Sequence, residues 1–347
     1  MAVNERQDIE STGDGPGFVF HSNRGAGLFS AALAPLGGRP YVQGENSTRI
    51  ELLYFDDYQG NTAQNTGDTE SGYEKLPPLI PENCLTLIPR SRTRALDDKA
   101  EMARTLMAEG ICYPRVYFSV DSVPDAGSEF DERLWFVKKP FSSGGKGISV
   151  LATDELSAVT DRNIIIQEAV QDLSLIEGRK YTLRLYVLAY GGKLYLYQDG
   201  FVVVHGRPFQ RGSKDPLVQF VHEGYLQPES GIELIQFSRL SDAAAILAHA
   251  ANTLSNNFRA FSNRLKYERD THYCLFGVDL LVRENLHTVL VEINDRPNLV
   301  HSQEINREVN IPMLQAMVLL MKPEWGGLYA NDEPDSVSRK FILLTEL

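Results

Sequence analysis

The sequence predicts an α+β fold in which a small α/β lobe precedes antiparallel sheets. Between residues 17 and 120, short strand-like runs alternate with helical runs, which is typical of a small α/β lobe. From residue 134 onward the strand-like runs lengthen. The runs KYTLRLYVLAY and KLYLYQD flank Gly191-Gly192, and a second pair lies within FGVDLLVRENLHTVLVEINDRPN at 276–298. Short turns of this kind predict hairpins, and therefore antiparallel sheets.

The elements follow in chain order, and five segments are expected. Residues 1–16 are polar and glycine-rich, which predicts a flexible tail. The lobe at 17–120 contains three predicted strands (FVFHS, RIELLYFDD and LTLIP) and two predicted helices (LFSAALAPL and KAEMARTLMAEG). A central segment at 121–175 contains the strands LWFVKKP, GISVLA and IIIQEAV. The segment at 176–325 contains both hairpins and helices near 241–265 and 311–321, and a tail is expected at 326–347.

Composition narrows the class of protein. The chain has 347 residues, of which 43% are hydrophobic and 23% charged, as in ordinary globular proteins. The formal net charge of −12 argues against nucleic acid or an anionic membrane as a general partner. The sequence has neither a long apolar run nor the apolar core of a signal peptide at its N-terminus, and its three cysteines are widely separated. A cytoplasmic location is therefore expected, and the oligomeric state is not predicted.

Two carboxylates and an amide lie within the second hairpin. If its turn is centred between Asn285 and Leu286, Asp279 lies opposite Glu292, and Asn294 shares their face together with Leu281 and Leu290. Crowded acids in a covered strand repel each other unless cations or donors neutralise them. Oxygen ligands from Asp, Glu and Asn suit Mg²⁺. The alternative is a hairpin end whose acids point to solvent or pair with nearby arginines.

Three further motifs are weak individually. The loop within KKPFSSGGKGIS, at 138–149, is rich in glycine and suits folding over phosphates, although glycine turns without a ligand are common. On the strand RKYTLRLYVLAY, Lys180, Thr182, Arg184 and Tyr186 share one face, which could hold anionic groups or face solvent. IIIQEAV at 164–170 has the pattern of a buried strand that emerges at a cleft or simply ends there.

In this order along the chain, the motifs resemble the ATP-grasp fold and, more narrowly, the tubulin–tyrosine ligase family. The resemblance runs from about Leu96 to Leu299 and is most specific in GRKYTLRLYVL and in FGVDLLV with LVEINDRPNL. It implies two antiparallel sheets that clasp ATP. It also implies an ATP- and Mg²⁺-dependent ligase that joins a carboxylate to an amine through an acyl-phosphate.

The resemblance also assigns roles to individual residues. The metal ligands would be Asp279, Glu292 and Asn294, and the catalytic basic pair would be Lys180 and Arg184, with Arg184 also facing the substrate. The nucleotide-binding residues would be Lys99, Lys139, Ser142, Ser143, Gly144, Gly145, Lys146, Gly147, Gln167, Glu168, Ala169, Val170, Lys180 and Asp279. In this set Lys139 would contact the α-phosphate or adenine side, residues 142–147 would form a lid, and Gln167 with the backbone of 168–170 would border the adenine.

Two positions depart from the family pattern, and both lie toward the acceptor substrate rather than the nucleotide. Thr182 occupies a position that is usually acidic, and an arginine expected beyond the glycine of the second strand is missing from GFVVVHGRPFQRG. Arg207 or Arg211 could replace that arginine in binding the substrate. An acidic chain is a poor general partner for acidic tubulin tails, which favours an amino acid or peptide as substrate. The rival interpretations are a small-molecule kinase on the same fold and a catalytically degenerate nucleotide-binding protein.

Overall fold

The computed structural model describes residues 17–42, 49–54, 81–111, 114–124, 133–140, 147–220, 228–266, 270–326 and 339–347. Its strands form three sheets. The N-terminal sheet is parallel, with strand order β2-β1-β3, and α1 packs beside it. Its elements are β1 (Phe18–Ser22), α1 (Ala26–Leu33), β2 (Gly38–Pro40) and β3 (Leu52–Tyr54).

Two helices and two short strands connect this sheet to the rest of the molecule: β4 (Thr86–Leu87), α2 (Arg90–Asp97), α3 (Lys99–Ala108) and β5 (Val116–Tyr117). The start of α3 agrees with the sequence, because Asp98 caps it by accepting hydrogen bonds from the backbone N–H groups of Ala100 and Glu101. Gly110 follows the helix with a φ of 68°, which glycine adopts without strain.

The central sheet is antiparallel, with strand order β5-β8-β6-β7, and its other strands are β6 (Leu134–Lys138), β7 (Ser149–Ala152) and β8 (Ile165–Glu168). Its two faces have different roles. Trp135 and Val137 pack into a small core on one face, and Phe136 and Lys138 therefore point to the other face because side chains alternate along a strand. That second face is the one that looks toward the large sheet, since Lys180 of the large sheet lies against Phe136.

The large sheet has seven strands, and five of them follow the order β11-β10-β9-β12-β13. Besides β4, which pairs with β12, the strands of this sheet are β9 (Arg179–Tyr190), β10 (Lys193–Pro208), β11 (Glu233–Gln236), β12 (His272–Val282), β13 (Thr288–Asn294) and β14 (Phe341–Glu346). The predicted β9–β10 hairpin is confirmed, with φ of 57° at Gly191 and 70° at Gly192. Positive φ at both central residues is what a tight hairpin turn of this type requires.

Five helices complete the described chain: α4 (Pro216–Gln219), α5 (Ala243–Arg259), α6 (Ser262–Leu265), α7 (Gln303–Ile305) and α8 (Ile311–Met321). The long amphipathic α5 buries Ile246, Leu254 and Phe258 in the core on one face of the large sheet. The apolar α8 lies in the core on the opposite face, where it also contacts α1. Within the part of the chain that the structure describes, none of the helices is long and apolar enough to cross a membrane.

Two segment boundaries differ from those expected from the sequence. β5 lies within the expected N-terminal lobe at 17–120, yet it pairs with β8 of the central sheet. β14 lies within the expected tail at 326–347, yet it pairs with β10 of the large sheet. The pairing of each strand is with a partner distant in sequence, so the sequence near the strand does not reveal it.

The register of the β12–β13 hairpin is as predicted at its open end, where Asp279 pairs with Glu292. A β-bulge between Asp279 and Leu280 then shifts the register, so that Leu280 pairs with Leu290. The prediction that Leu290 shares one face of the sheet with Leu281 is therefore wrong. Leu290 packs in the core on the other face, and Val291 packs with Leu281 instead.

Candidate functional site

Two acids of the β12–β13 hairpin each lie against a cation. Arg184 of β9 makes a bidentate pair with Asp279, with Nε at 2.6 Å from Oδ1 and Nη2 at 2.9 Å from Oδ2. Lys99, the first residue of α3, places Nζ 3.0 Å from Glu292 Oε1. Burial opposes the charge on Arg184, but Asp279 more than offsets this and raises the pKa of the guanidinium. These ion pairs with Arg184 and Lys99 explain how the carboxylates of Asp279 and Glu292 can share one face of the sheet.

These acids, together with Asn294, offer the oxygen donors that Mg²⁺ prefers. Asn294 lies directly opposite Gly277, and its Nδ2 lies 3.5 Å from Asp279 Oδ2. In the described residues no group of three or more His, Cys, Asp and Glu side chains could hold a metal, so a site here would use two acids and an amide. The donor chemistry fits Mg²⁺, and its binding would release Arg184 and Lys99 from the acids.

A lysine of the central sheet reaches the same cleft, but it is not the predicted one. Lys139 is solvent-exposed, with a side chain that is 64% accessible and lies 3.8 Å from Asp161. Lys138 is buried, and its Nζ donates a hydrogen bond of 2.5 Å to Gln167 Oε1. The alternation from Trp135 and Val137, which pack on the opposite face, could have identified Lys138. The structure therefore favours Lys138 over Lys139 as the nucleotide-facing lysine.

Lys99, Lys138 and Gln167 line one narrow cleft, open to solvent, between α3, the central sheet and β13. Its apolar walls come from α3, from Val116 and Ile165 of the central sheet, and from Leu290 and Val291 of the large sheet. An apolar cavity with a few convergent polar groups is the usual form of a small-molecule site. This cleft is therefore the candidate nucleotide site.

The predicted adenine-bordering segment partly lines this cleft. The backbone N–H groups of Glu168 and Ala169 already donate to the carbonyls of Arg115 and Leu134. Val170 is buried against Leu173, Leu281 and Val289. Only the side chain of Gln167 is seen in the cleft itself.

Lys180 is buried at a contact between the two sheets. Its Nζ lies 5.2 Å from the centre of the Phe136 ring and donates hydrogen bonds to two oxygens of Gln219, the backbone carbonyl at 2.8 Å and Oε1 at 3.4 Å. Gln219 ends α4, and the preceding residue, Val218, offers its carbonyl to the buried ring of His205 at 2.9 Å. α4 therefore covers this part of the β9–β10 face, which the sequence did not indicate.

The remaining predicted residues lie at the margins or outside the described chain. Ser142, Ser143, Gly144, Gly145 and Lys146 lie outside the described residues, and Gly147 has a φ of 68°. The two candidate substrate arginines are Arg207 and Arg211. Arg207 binds Asp215, the N-cap of α4, at 2.6 Å, and Arg211 is exposed in the turn that follows β10. Arg207 thus anchors α4 in this structure.

His301 is a site residue that sequence reasoning missed. Its ring packs at a tilt against Phe201, with ring centres 4.6 Å apart, and Phe201 is the β10 partner of Arg184. Burial, followed by the charge of Arg184, lowers the pKa of His301 to about 4. A neutral imidazole therefore lies beside the arginine at neutral pH. No motif in the sequence marks it, because it enters the site through the loop after β13.

Gly277 allows Arg184 to lie close to β12, and Gly277→Ala is expected to weaken the pair. An added Cβ would come within 2.7 Å of Pro297 Cβ and 3.3 Å of Arg184 Nη1. We expect a loss of about 1–3 kcal/mol in the free energy of unfolding, by overpacking, and lower ATP-dependent turnover. Chemical denaturation and ADP release would measure the two effects. Gly27→Ala is the matched control, because nothing lies within 4 Å of its Cβ position. Equal behaviour of the two variants would contradict this prediction.

The buried lysines predict opposite pH trends for folding and for nucleotide binding. Burial lowers the pKa of Lys138 from 10.5 to about 8, and burial followed by the charge of Lys138 lowers that of Lys180 to about 7. Between these values and 10.5 the unfolded chain binds more protons than the folded protein, so stability rises with pH. We therefore expect the ligand-free protein to gain stability from pH 7 to 9 relative to Lys138→Met, while its ATP affinity falls. Denaturation and calorimetry at both pH values would test this, and a parallel fall in both quantities would refute it.

Comparison with known sequences gives one family. A profile described as "Tubulin-tyrosine ligase family" matches residues 105–222 and 241–324, which is more than half of the chain. The matched region contains Lys138, Lys180, Arg184 and all three candidate metal ligands, whereas Lys99 precedes it.

Curated relatives are similar at a lower level. The "Tubulin polyglutamylase TTLL5" of Mus musculus is 23% identical over 245 residues, which are 61% of this chain and 18% of that protein. The "Probable tubulin polyglutamylase TTLL9" of Bos taurus is 26% identical over 182 residues, which are 47% of this chain and 39% of that protein. The "Tubulin monoglutamylase TTLL4" of Mus musculus is 24% identical over 222 residues, 54% of this chain and 18% of the relative. The chain thus spans about a fifth to two fifths of the length of these relatives.

Proposed function

Since the chain belongs to the tubulin–tyrosine ligase family of the ATP-grasp superfamily, we propose that it uses ATP to join a carboxylate to an amine. The observation that carries the proposal is the convergence of four cations and two acids between the two sheets. Arg184 binds Asp279 and Lys99 binds Glu292, Lys138 lines the same cleft as Lys99, and Lys180 lies against Phe136, two residues before Lys138. A polyanion with a bound divalent cation would neutralise this arrangement.

The nucleotide would lie with its base in the apolar part of the cleft and its phosphates toward the acids. Leu290 and Val291 from below, and Ile165 from above, provide apolar contacts for a base. Because the N–H groups of Glu168 and Ala169 are already bonded within the fold, the side chain of Gln167 is the proposed polar contact of this segment. Lys138 would then contact the phosphates nearest the base.

The proposed metal ligands are Asp279, Glu292 and Asn294. When bound, Mg²⁺ would neutralise phosphate charge and hold the phosphate oxygens in place. Displacement from the acids would leave Arg184 and Lys99 as donors for phosphate or carboxylate oxygens. The same side chains thus stabilise the ligand-free acids and the bound anions.

The reaction would proceed in two steps. A carboxylate oxygen of the substrate attacks the γ-phosphorus, which forms an acyl-phosphate and releases ADP. A neutral amine then attacks the acyl carbon, an amide forms, and phosphate leaves as the amine nitrogen gives up one proton. Lys180 and Arg184 would steady the charge on the transferred group, so that the contribution of the protein is positioning and charge neutralisation. No general base is assigned, because Thr182 cannot act as one.

For the substrates we propose a carboxylate on a peptide or protein and an amino acid as the amine. The relatives are named for the modification of tubulin. The net charge of −12 gives this chain no general attraction to an acidic tail. We therefore propose that contacts at the cleft, rather than long-range charge, select the peptide.

The test is ADP release from ATP and Mg²⁺ in the presence of a pool of peptides and amino acids. We expect ADP above that of a Glu292→Gln blank, together with a product whose mass equals two pool members minus water. A phosphorylated pool member in place of the condensed product would instead identify a kinase. ATP binding without any turnover in peptide, protein and polyol pools would contradict catalysis.

A further inference from the structure

A buried carboxylate beside the candidate metal ligands has no role in the reaction described above. Asp295 follows Asn294 and is 1% exposed. Its Oδ2 accepts a hydrogen bond of 2.7 Å from Thr93 Oγ1, whereas its buried Oδ1 has no hydrogen-bond partner among the described residues. Burial of a carboxylate with an unsatisfied oxygen is unfavourable. The presence of an acid here therefore needs a reason beyond packing.

Its partner Thr93 is connected to Lys99 by a short path through two helices. Thr93 is fully buried in α2. No loop separates α2 from α3, because Asp98 is both the C-cap of α2 and the N-cap of α3. Lys99 is the first residue of α3, and its Nζ returns to Glu292 at 3.0 Å.

The helix pair is therefore attached to the end of β13 at two points. One attachment is Thr93 to Asp295, and the other is Lys99 to Glu292. Two arginines strengthen the first attachment, since Arg90 Nε lies 3.7 Å from Asp295 Oδ2 and Arg296 Nη1 lies 3.9 Å from the same oxygen. A shift of α2 along the sheet would move Lys99 with it, because a single residue, Asp98, joins the two helices.

We propose that Asp295 is a positioning residue which, through Thr93, fixes Lys99 relative to Glu292 and so sets the affinity of the site for nucleotide phosphates. This inference rests on the proposed function, because it takes MgATP as the ligand. Asp295 does not touch the nucleotide. It acts through the hydroxyl of Thr93 and the junction between the two helices.

A double-mutant cycle tests the path, with MgATP as the probe and its dissociation constant measured by calorimetry. Thr93→Val removes the hydroxyl at nearly constant volume, and we expect binding to weaken roughly threefold to tenfold. In a Lys99→Ala background the same substitution is expected to change binding less than about twofold, because the residue being positioned is gone. Thr93→Ser should restore the original affinity.

Thr105→Val is the matched control, since the Thr105 hydroxyl bonds only to the Glu101 carbonyl within α3 in the described contacts. If Thr93→Val does not fold, Thr93→Ala provides the same cycle. Equal weakening in both backgrounds would overturn the inference, as would a lower melting temperature with an unchanged dissociation constant. Failure of the unsubstituted protein to bind MgATP would overturn the proposed function itself, which distinguishes the two failures.

Discussion

Glu292→Gln is expected to lower Mg²⁺-dependent turnover by roughly 100- to 1000-fold, the range for loss of one preorganised charge contact at a reacting centre. The substitution keeps the shape of the side chain and removes the charge that would bind the metal. Its ion-pair partner, Lys99, makes one hydrogen bond to Glu292, and the amide oxygen of glutamine can still accept that bond. The fold should therefore persist. ADP release across a Mg²⁺ titration, together with circular dichroism, would measure both outcomes.

Asp279→Asn provides the comparison, because its partner Arg184 makes two hydrogen bonds to the carboxylate, whereas Lys99 makes one to Glu292. Removing one partner of a buried pair leaves an uncompensated charge, which costs about 3–5 kcal/mol in fully buried cases. Both side chains are 16–18% accessible, so we expect a smaller loss here. Turnover should fall as far as in Glu292→Gln, but with reduced stability. Near-normal activity in either variant would remove that residue from the metal site.

Lys138→Ala is expected to weaken MgATP binding about 10- to 100-fold, whereas Lys139→Ala should change it less than about twofold. A charge-assisted hydrogen bond contributes about 1.5–3 kcal/mol, and about 1.4 kcal/mol corresponds to tenfold in affinity. The two lysines are adjacent and chemically identical. Only Lys138 is buried in the cleft beside Gln167, so comparison of the two variants isolates the effect of the strand face to which the lysine points.

Calorimetry with each variant measures these affinities, and a melting curve shows whether either substitution alters folding. Removal of the buried lysine should not destabilise the ligand-free protein, since burial disfavours its charge and lowers its pKa to about 8. A greater loss of affinity in Lys139→Ala than in Lys138→Ala would show that the face of the strand does not decide which lysine binds the nucleotide.

Sequence periodicity predicts much of the large sheet. The alternation of side chains on β9 places Arg184 on the face opposite Leu183 and Leu185, and both leucines lie in the core. The turn of the β12–β13 hairpin predicts the pairing of Asp279 with Glu292. These predictions rest on local geometry with a period of two residues, which the sequence carries directly.

The features that sequence reasoning missed depend on contacts between distant parts of the chain. β14 pairs with β10, whose paired residues lie about 150 positions earlier in the chain. α4 is a single turn, and its position is fixed by Arg207, His205 and Lys180 rather than by its own propensity. Asp295 is informative only once Thr93 is known to lie against it. Such side-chain contacts have no periodicity to detect.

The β-bulge in the β12–β13 hairpin places Val291, which lines the cleft, directly before Glu292, which binds the cleft residue Lys99. In a regular strand Val291 and Glu292 would face opposite sides, and a strand could not present an apolar and an acidic group side by side. Here Val291 packs with Leu281 and lines the cleft, while Glu292 still pairs with Asp279. Deleting Val291 would restore an uninterrupted ladder with Glu292 still opposite Asp279. The proposed contacts to the base and to the metal would therefore come from neighbouring residues, and loss of one residue from the strand would remove the apolar contact while the acid keeps its partner.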